Sequence, residues 1–419
     1  MSASLLTVPM VFSFSAARRQ YRGKINLYSF RPAAESRSLT PLSVKATNLV
    51  AEVTARGCGA WTNVRQEEWE GDMAVEGQLP AWLNGTYLRI GPGVWQIGDH
   101  ELQFDGYGTL LRVSFRRGCA TGAHRQIESD AYKATREHGH PLLHEFSELI
   151  PIRPGNLLDR ACSVVGLATG SVLSDNANTA VLQLGDGRVM CLARGHQERH
   201  PAFAMSMQIK INEKICTSGK VACVEVPPFL AIHFINAFEE RRKEDNGLTD
   251  ALIVDCCEHF ANPAIIEALA LRRLRSLDVG SHEFPDARVA RFRIPLDGKR
   301  SGELETLLDP AEHGRAVEMS SINPAYQGKE YQYVYACGAH RPTNFLNTLT
   351  KIDLVGKETK SMRRAPCRPS PSFQTLFRTV DGNGYTLLLD AMTFKEIARV
   401  RFPYGLPYGF HGCWIPEKI

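Results

Sequence analysis

Imidazoles are the side chains with most chemical potential in this sequence, and thirteen of them are scattered over 419 residues. A neutral imidazole is the commonest protein ligand for a metal and a ready proton carrier. His196 and His200 stand at i and i+4, a spacing that suits two ligands on one helix face, but Gly195 and Pro201 argue against a helix and the pair reads as a solvated loop. His233, between Ile232 and Phe234, reads by itself as a core histidine, and His411 beside Gly412 reads by itself as a loop histidine. The eleven cysteines include no C-x-x-C pair, and the adjacent Cys256 and Cys257 cannot bridge each other within one extended strand. They read as reduced thiols, several of them strand core, and make no zinc site.

The elements that must position any such site are mostly short strands broken by Gly, Pro and Asp from about Trp61 onward. Ala290, Phe292 and Ile294 alternate with Arg291 and Arg293, the period of a half-buried strand, and Tyr331, Tyr333 and Tyr335 repeat it. Thr179–Leu184 and Arg188–Leu192 flank Gly185-Asp186-Gly187 as a hairpin, and Tyr385–Leu389 pairs with Glu396–Phe402 as a second. Further strands are expected at Thr86–Arg89, Leu110–Phe115, Val221–Val226, Leu230–Ile235 and Leu252–Cys256. One segment reads as helix: Asn262 caps it, Pro263 fits its first turn, and Ile265, Ile266, Leu269, Leu271 and Leu274 keep helical spacing. Periodicity therefore predicts a large all-β protein with at least one inserted helix.

Charge and composition narrow the class. The net charge is +4, but residues 1–50 carry seven Lys/Arg against the single acid Glu35, so the leader holds +6 and the rest of the chain −2. A body so near neutrality has no electrostatic footprint for nucleic acid. No run of about 18 uncharged apolar residues exists to span a membrane. The leader is rich in Ser, nearly free of acids and dotted with Arg, the composition of an organelle transit peptide, with a cut expected near Ser43–Ala46. The expected layout is a transit peptide at 1–45, a linker at 46–60 and one large domain at 61–419.

Three ordered stretches carry a resemblance. The first is Gly77-Gln78-Leu79-Pro80-Ala81-Trp82-Leu83-Asn84-Gly85-Thr86-Tyr87-Leu88-Arg89, then Gly91-Pro92-Gly93, then Phe104-Asp105-Gly106-Tyr107-Gly108. The second is Val224-Glu225-Val226-Pro227-Pro228 with Ala231-Ile232-His233-Phe234-Ile235-Asn236-Ala237-Phe238-Glu239. The third is Pro403-Tyr404-Gly405-Leu406-Pro407-Tyr408-Gly409-Phe410-His411-Gly412. Together they resemble the carotenoid cleavage oxygenase family, and the details are nearest its plant branch that makes carlactone. Ile90 departs from the asparagine usual in the family.

The resemblance implies a seven-bladed β-propeller with helical insertions and a ferrous iron, Fe(2+), held by four histidines with carboxylates behind them. Iron accepts neutral imidazole well, and an all-imidazole site keeps the metal's charge and open positions. It makes His233 and His411 metal ligands and gives Glu318, in Val317-Glu318-Met319-Ser320-Ser321-Ile322-Asn323, the place of a carboxylate that orients a ligand ring. His259 and His282 match family text that does not ligate and read as structural. Implied with these are an apocarotenoid substrate, dioxygen as co-substrate, a plastid stroma location and a part in strigolactone synthesis. Peripheral contact with plastid membranes and the oligomeric state stay open.

Against the family pattern, blade strands are missing near 193–220 and 362–381. Two strands with the other two ligand histidines belong in the first gap, and a Glu-containing strand in the second. The expectation is therefore an incomplete propeller whose activity is impaired. The alternative is a catalytically dead product of faulty splicing that acts at most as an apocarotenoid-binding or interaction protein.

Overall fold

The computed structural model describes residues 61–102, 105–141, 174–183, 189–192, 225–244, 247–276, 284–296, 301–313, 316–341, 343, 345–363, 377–378 and 384–417. The expected leader and linker, the Gly185-Asp186-Gly187 turn, His196, His200, His282, most of the Val221–Val226 strand and nearly all of both gap regions lie outside these residues. No helix is long and apolar enough to cross a membrane among those described.

Antiparallel strands dominate, as the alternating sequence predicts. Sheet I runs, edge to edge, through Glu68–Asp72, Cys119–Gln126, Tyr107–Arg116, Gly85–Val94 and Gly412–Pro416. Sheet II is built of Ala231–Glu244, Gly247–Glu258, Arg288–Pro295 and Glu303–Leu308 in chain order. Sheet III follows with Glu318–Ser321, Tyr333–Gly338, Thr348–Asp353 and Glu358–Arg363. Sheet IV orders Phe377–Arg378, Gly384–Leu389, Glu396–Arg401 and Ala74–Gly77. The hairpin Ala180–Gln183 with Val189–Leu192 stands as a two-stranded ribbon. Sheet I joins four early strands to one late strand and sheet IV one early strand to three late ones, so the two ends of the described chain are stitched into common sheets.

Apolar strand faces meet between neighbouring sheets. Ile235, Phe238 and Ile253 of sheet II pack with Val317, Val334, Ala336 and Ile352 in and beside sheet III. Leu111, Val113 and Phe115 of sheet I pack with Ala398, Val400 and Phe402 in and beside sheet IV. Each of the Val, Leu, Ile and Phe side chains contributes about 1.5–3 kcal/mol on full burial.

One local reading is corrected and another is refined. The tyrosine alternation does not mark the core face of its strand. Val334 and Ala336 point into the core, while Tyr333 is exposed with the Lys351 ammonium 4.3 Å from its ring centroid. The inter-sheet space takes small aliphatics together with the buried ring of Tyr331, while Tyr333 and Tyr335 lie on the other face of their strand. The expected single helix is broken in two, Ala264–Ala268 and Leu271–Leu274, because Ala270 is extended at ψ 136°. The break lets Ile265, Leu271 and Leu274 all turn into the aromatic core of Trp61, Trp95, Phe284, Phe345 and Tyr408, while Ile266 is left exposed. A further helix, Asp130–His138, is capped by the Ser129 side chain, which accepts from Tyr132 N–H at 3.0 Å, and by left-handed Gly139.

Candidate metal centre

His233 lies on the first strand of sheet II, where the register slips on both sides of it, between Ala231 and His233 and between Phe234 and Asn236. Such bulges re-aim a side chain out of the regular pleat. Glu318 begins sheet III, and its pairing with Cys337 also breaks register before Ser321. Neighbouring sheets thus bring together two residues 85 positions apart: His233 Nδ1 lies 2.5 Å from Glu318 Oε2. The second carboxylate oxygen, Oε1, lies 2.6 Å from His259 Nε2. Met319 N–H donates to Oε2 at 3.0 Å.

Glu318 is fully enclosed. Burial alone pushes its carboxyl up, and the charge and hydrogen bond of His233 with those of His259 outweigh that, holding it at about 2. An ionised carboxylate can only accept, so both imidazoles donate to it. In its neutral form His233 therefore carries its proton on Nδ1, which leaves Nε2 the lone pair that a metal requires.

His411 arrives from the opposite end of the chain. It precedes the last strand of sheet I, its carbonyl accepts from Ile90 N–H at 3.0 Å, and Phe410 N–H donates to Ile90 O at 2.8 Å. Its ring centroid stands 5.2 Å from that of His233, the planes inclined by 65°. Arg89, buried, donates to Gly409 O and stacks over Tyr408, 5.6 Å from its ring centroid. Ile90 is wholly buried beside Leu88, Val181 and Cys413, an apolar place in which an asparagine would need polar partners. A cavity lined by Arg89, Ile90, Thr109, His124, Leu406 and Tyr408 lies behind this segment and reaches none of His233, Glu318, His259 or His411.

Backbone strain gathers at the same place. Ala316, Met319, Phe260 and Ala261 have positive φ, between 51° and 54°. Each sits in the left-handed region at a cost of about 1–3 kcal/mol, the kind of cost that concentrates at functional sites.

The structure thus joins all three residues singled out by sequence and adds His259, which the sequence reading took as structural. The available signal was its place just after Asp255-Cys256-Cys257-Glu258 at the end of a buried strand. As a donor set, two imidazoles with a carboxylate behind one fit ferrous iron in type. They fall short in number: among the described residues no group of three His, Cys, Asp or Glu side chains could hold a metal ion.

The profile of the retinal pigment epithelial membrane protein, RPE65, matches residues 61–200 and 210–416, and the chain belongs to that family, the carotenoid oxygenases, a family of enzymes. Its relatives include carotenoid cleavage dioxygenase 8 homolog A, chloroplastic, of Oryza sativa subsp. japonica, 44% identical over 515 residues with 89% of this chain and 92% of the rice protein covered. Another is carotenoid cleavage dioxygenase 8, chloroplastic, of Arabidopsis thaliana, 37% identical with 85% of this chain and 86% of that protein covered. Among solved structures, cobalt-substituted Synechocystis apocarotenoid oxygenase matches with a TM-score of 0.57 at 18% identity, over 87% of this chain and 99% of that one. The rice alignment is longer than this chain's own 419 residues, so it passes over stretches that the relative has and this chain lacks.

Proposed function

We propose that this chain is a plastid carotenoid cleavage dioxygenase of the carlactone-forming kind, built on an incomplete seven-bladed propeller and impaired in activity. The substrate is a cis apocarotenal, cleaved and rearranged with dioxygen as a step of strigolactone synthesis. The observation that carries the reading is the His233–Glu318 hydrogen bond beside the His411 ring, which brings together the edge strands of sheets II and III and the segment that leads into the last strand of sheet I. His233 and His411 would hold iron(II), which when bound supplies the oxygen chemistry. The chain's own part is to hold the His233 Nδ1–H on Glu318, which would leave Nε2 available to a metal, and to anchor His411 through the Arg89–Gly409 and Ile90 contacts. The chloroplastic names of the rice and Arabidopsis relatives support a plastid address.

Impairment is favoured by the overlong alignment, which agrees with strands lost near 193–220 and 362–381. Losing even an outer-sphere partner typically costs about 10–100-fold in metal affinity or activity. Lost strands also leave unpaired sheet edges, which favour aggregation over a tidy binding module.

Iron analysis of the purified chain, run beside oxygen uptake on a cis apocarotenal, tests this. Iron well below one per chain with slow, apocarotenal-dependent uptake is expected. Near-stoichiometric iron with rapid turnover contradicts the impairment, and iron loading without any apocarotenal-dependent uptake contradicts the substrate.

A further inference from the structure

We propose that His259 is a positioning residue, whose Nε2–H pins the Glu318 carboxylate and thereby fixes which nitrogen of His233 carries the proton. The inference rests on the reading of His233 as a metal-holding residue, and its test needs no metal.

The His259 side chain is completely enclosed, and its Nδ1 is buried without a hydrogen-bond partner. A core position that only needed filling would take an aromatic or aliphatic group and leave no orphaned nitrogen. The imidazole's whole polar task is therefore the 2.6 Å bond from Nε2 to Glu318 Oε1. Without it, the carboxylate keeps His233 Nδ1–H and Met319 N–H, both on Oε2, and Oε1 loses its anchor against rotation.

The chain around His259 is built to hold it. Its N–H donates to Leu230 O and its carbonyl accepts from Asn262 N–H, both at 2.8 Å. The next two residues, Phe260 and Ala261, turn through the left-handed region. That turn is clamped by Glu258, buried, whose Oε1 accepts from Ala261 N–H at 2.7 Å and whose Oε2 accepts from Arg288 Nε at 2.7 Å. The Arg288 guanidinium covers the Phe260 ring at 4.8 Å from the centroid. Leu230 lies three residues before His233, so the clamp fixes His259 against the strand that carries the His233 ring.

Histidine-selective ¹⁵N spectra of the full chain, prepared free of metal, give the test. In the wild type His233 should read as the Nδ1–H tautomer and His259 as Nε2–H; either in the other form overturns the proposal. In His259→Phe, His233 should lose its single tautomer and move toward the Nε2–H form that histidine prefers in water. In His259→Gln, whose amide nitrogen can take the place of Nε2, the locked His233 signature should return. A locked His233 in His259→Phe shows that His259 only fills space. Should the phenylalanine variant not fold, the glutamine variant decides: His233 locked supports the proposal, unlocked overturns it. None of these readouts depends on catalysis, so failure of the proposed activity would leave this result standing on its own.

Discussion

The Tyr408 hydroxyl donates to the sulfur of Met319 at 2.6 Å, joining the segment that ends in His411 to the strand that begins with Glu318. Tyr408 is buried against Trp61, with ring centroids 5.0 Å apart, and against Phe345 at the same separation. The two halves of the candidate centre are therefore held in register by a contact outside it.

Tyr408→Phe keeps the aromatic packing and removes only the hydroxyl. A net loss of about 0.5–1.5 kcal/mol is expected, with a small fall in the unfolding midpoint. Thermal or denaturant unfolding measures it; a variant as stable as the wild type shows that the sulfur contact contributes nothing.

Gly91 lies within the Gly85–Val94 strand of sheet I, and a Cβ there would meet Gly409 Cα at 2.3 Å and Phe410 N at 2.7 Å. Gly91→Ala must push the His411 segment away, at about 1–3 kcal/mol or more. Unfolding curves read the loss, and limited proteolysis near Pro403–Gly412 should become faster. Unchanged stability would show that the backbones are not in contact.

Asp255 is wholly buried and accepts from Arg291 through Nε at 2.7 Å and Nη2 at 2.8 Å, and from the Tyr331 hydroxyl at 2.6 Å. Arg291→Met strands that carboxylate and should cost about 3 kcal/mol, the low end for a buried pair because Arg291 keeps some contact with water. Adding Asp255→Asn should restore part of the loss. If the double variant is no better than the single one, the stranded charge is not the cause.

His124 sets a pH dependence. Tyr404 donates to its Nδ1 at 2.5 Å, its Nε2–H donates to Gln66 O at 2.8 Å, and burial pushes its pKa below the ordinary histidine value. The folded state thus binds fewer protons than the unfolded one between that lowered value and about 6.5. Stability from this site is fully present above about 6.5 and is lost as pH falls below it. Denaturation at pH 7.5 and pH 5 should show a smaller acid loss in His124→Gln than in the wild type; equal losses contradict the assignment.

Much of this was legible in the sequence because it is local. Period-two alternation marks Arg288–Pro295, and the second hairpin appears at Gly384–Leu389 with Glu396–Arg401. His233, Glu318 and His411 came from motif context and not from periodicity. What stayed hidden depends on contacts between distant segments. His259 acquires its role only where sheet II meets Glu318, and no spacing along the chain encodes that meeting. Which tyrosines turn inward is decided by that same packing: Tyr331 joins the core between sheets II and III while Tyr333 stays exposed. The split after Ala268 is decided by an aromatic core to which both short helices must turn. The helix at Asp130–His138 did carry its signals in Ser129 and Gly139, but its apolar face is short.

The claim on which the account depends is that His233 and His411 together form a metal site. Titration of the metal-free chain with cobalt(II), followed by visible absorption, tests it most directly, against His233→Ala/His411→Ala prepared in parallel. The account predicts weak but saturable ligand-field bands in the wild type and none in the double variant. Identical bands in both proteins, or none in the wild type, would contradict it.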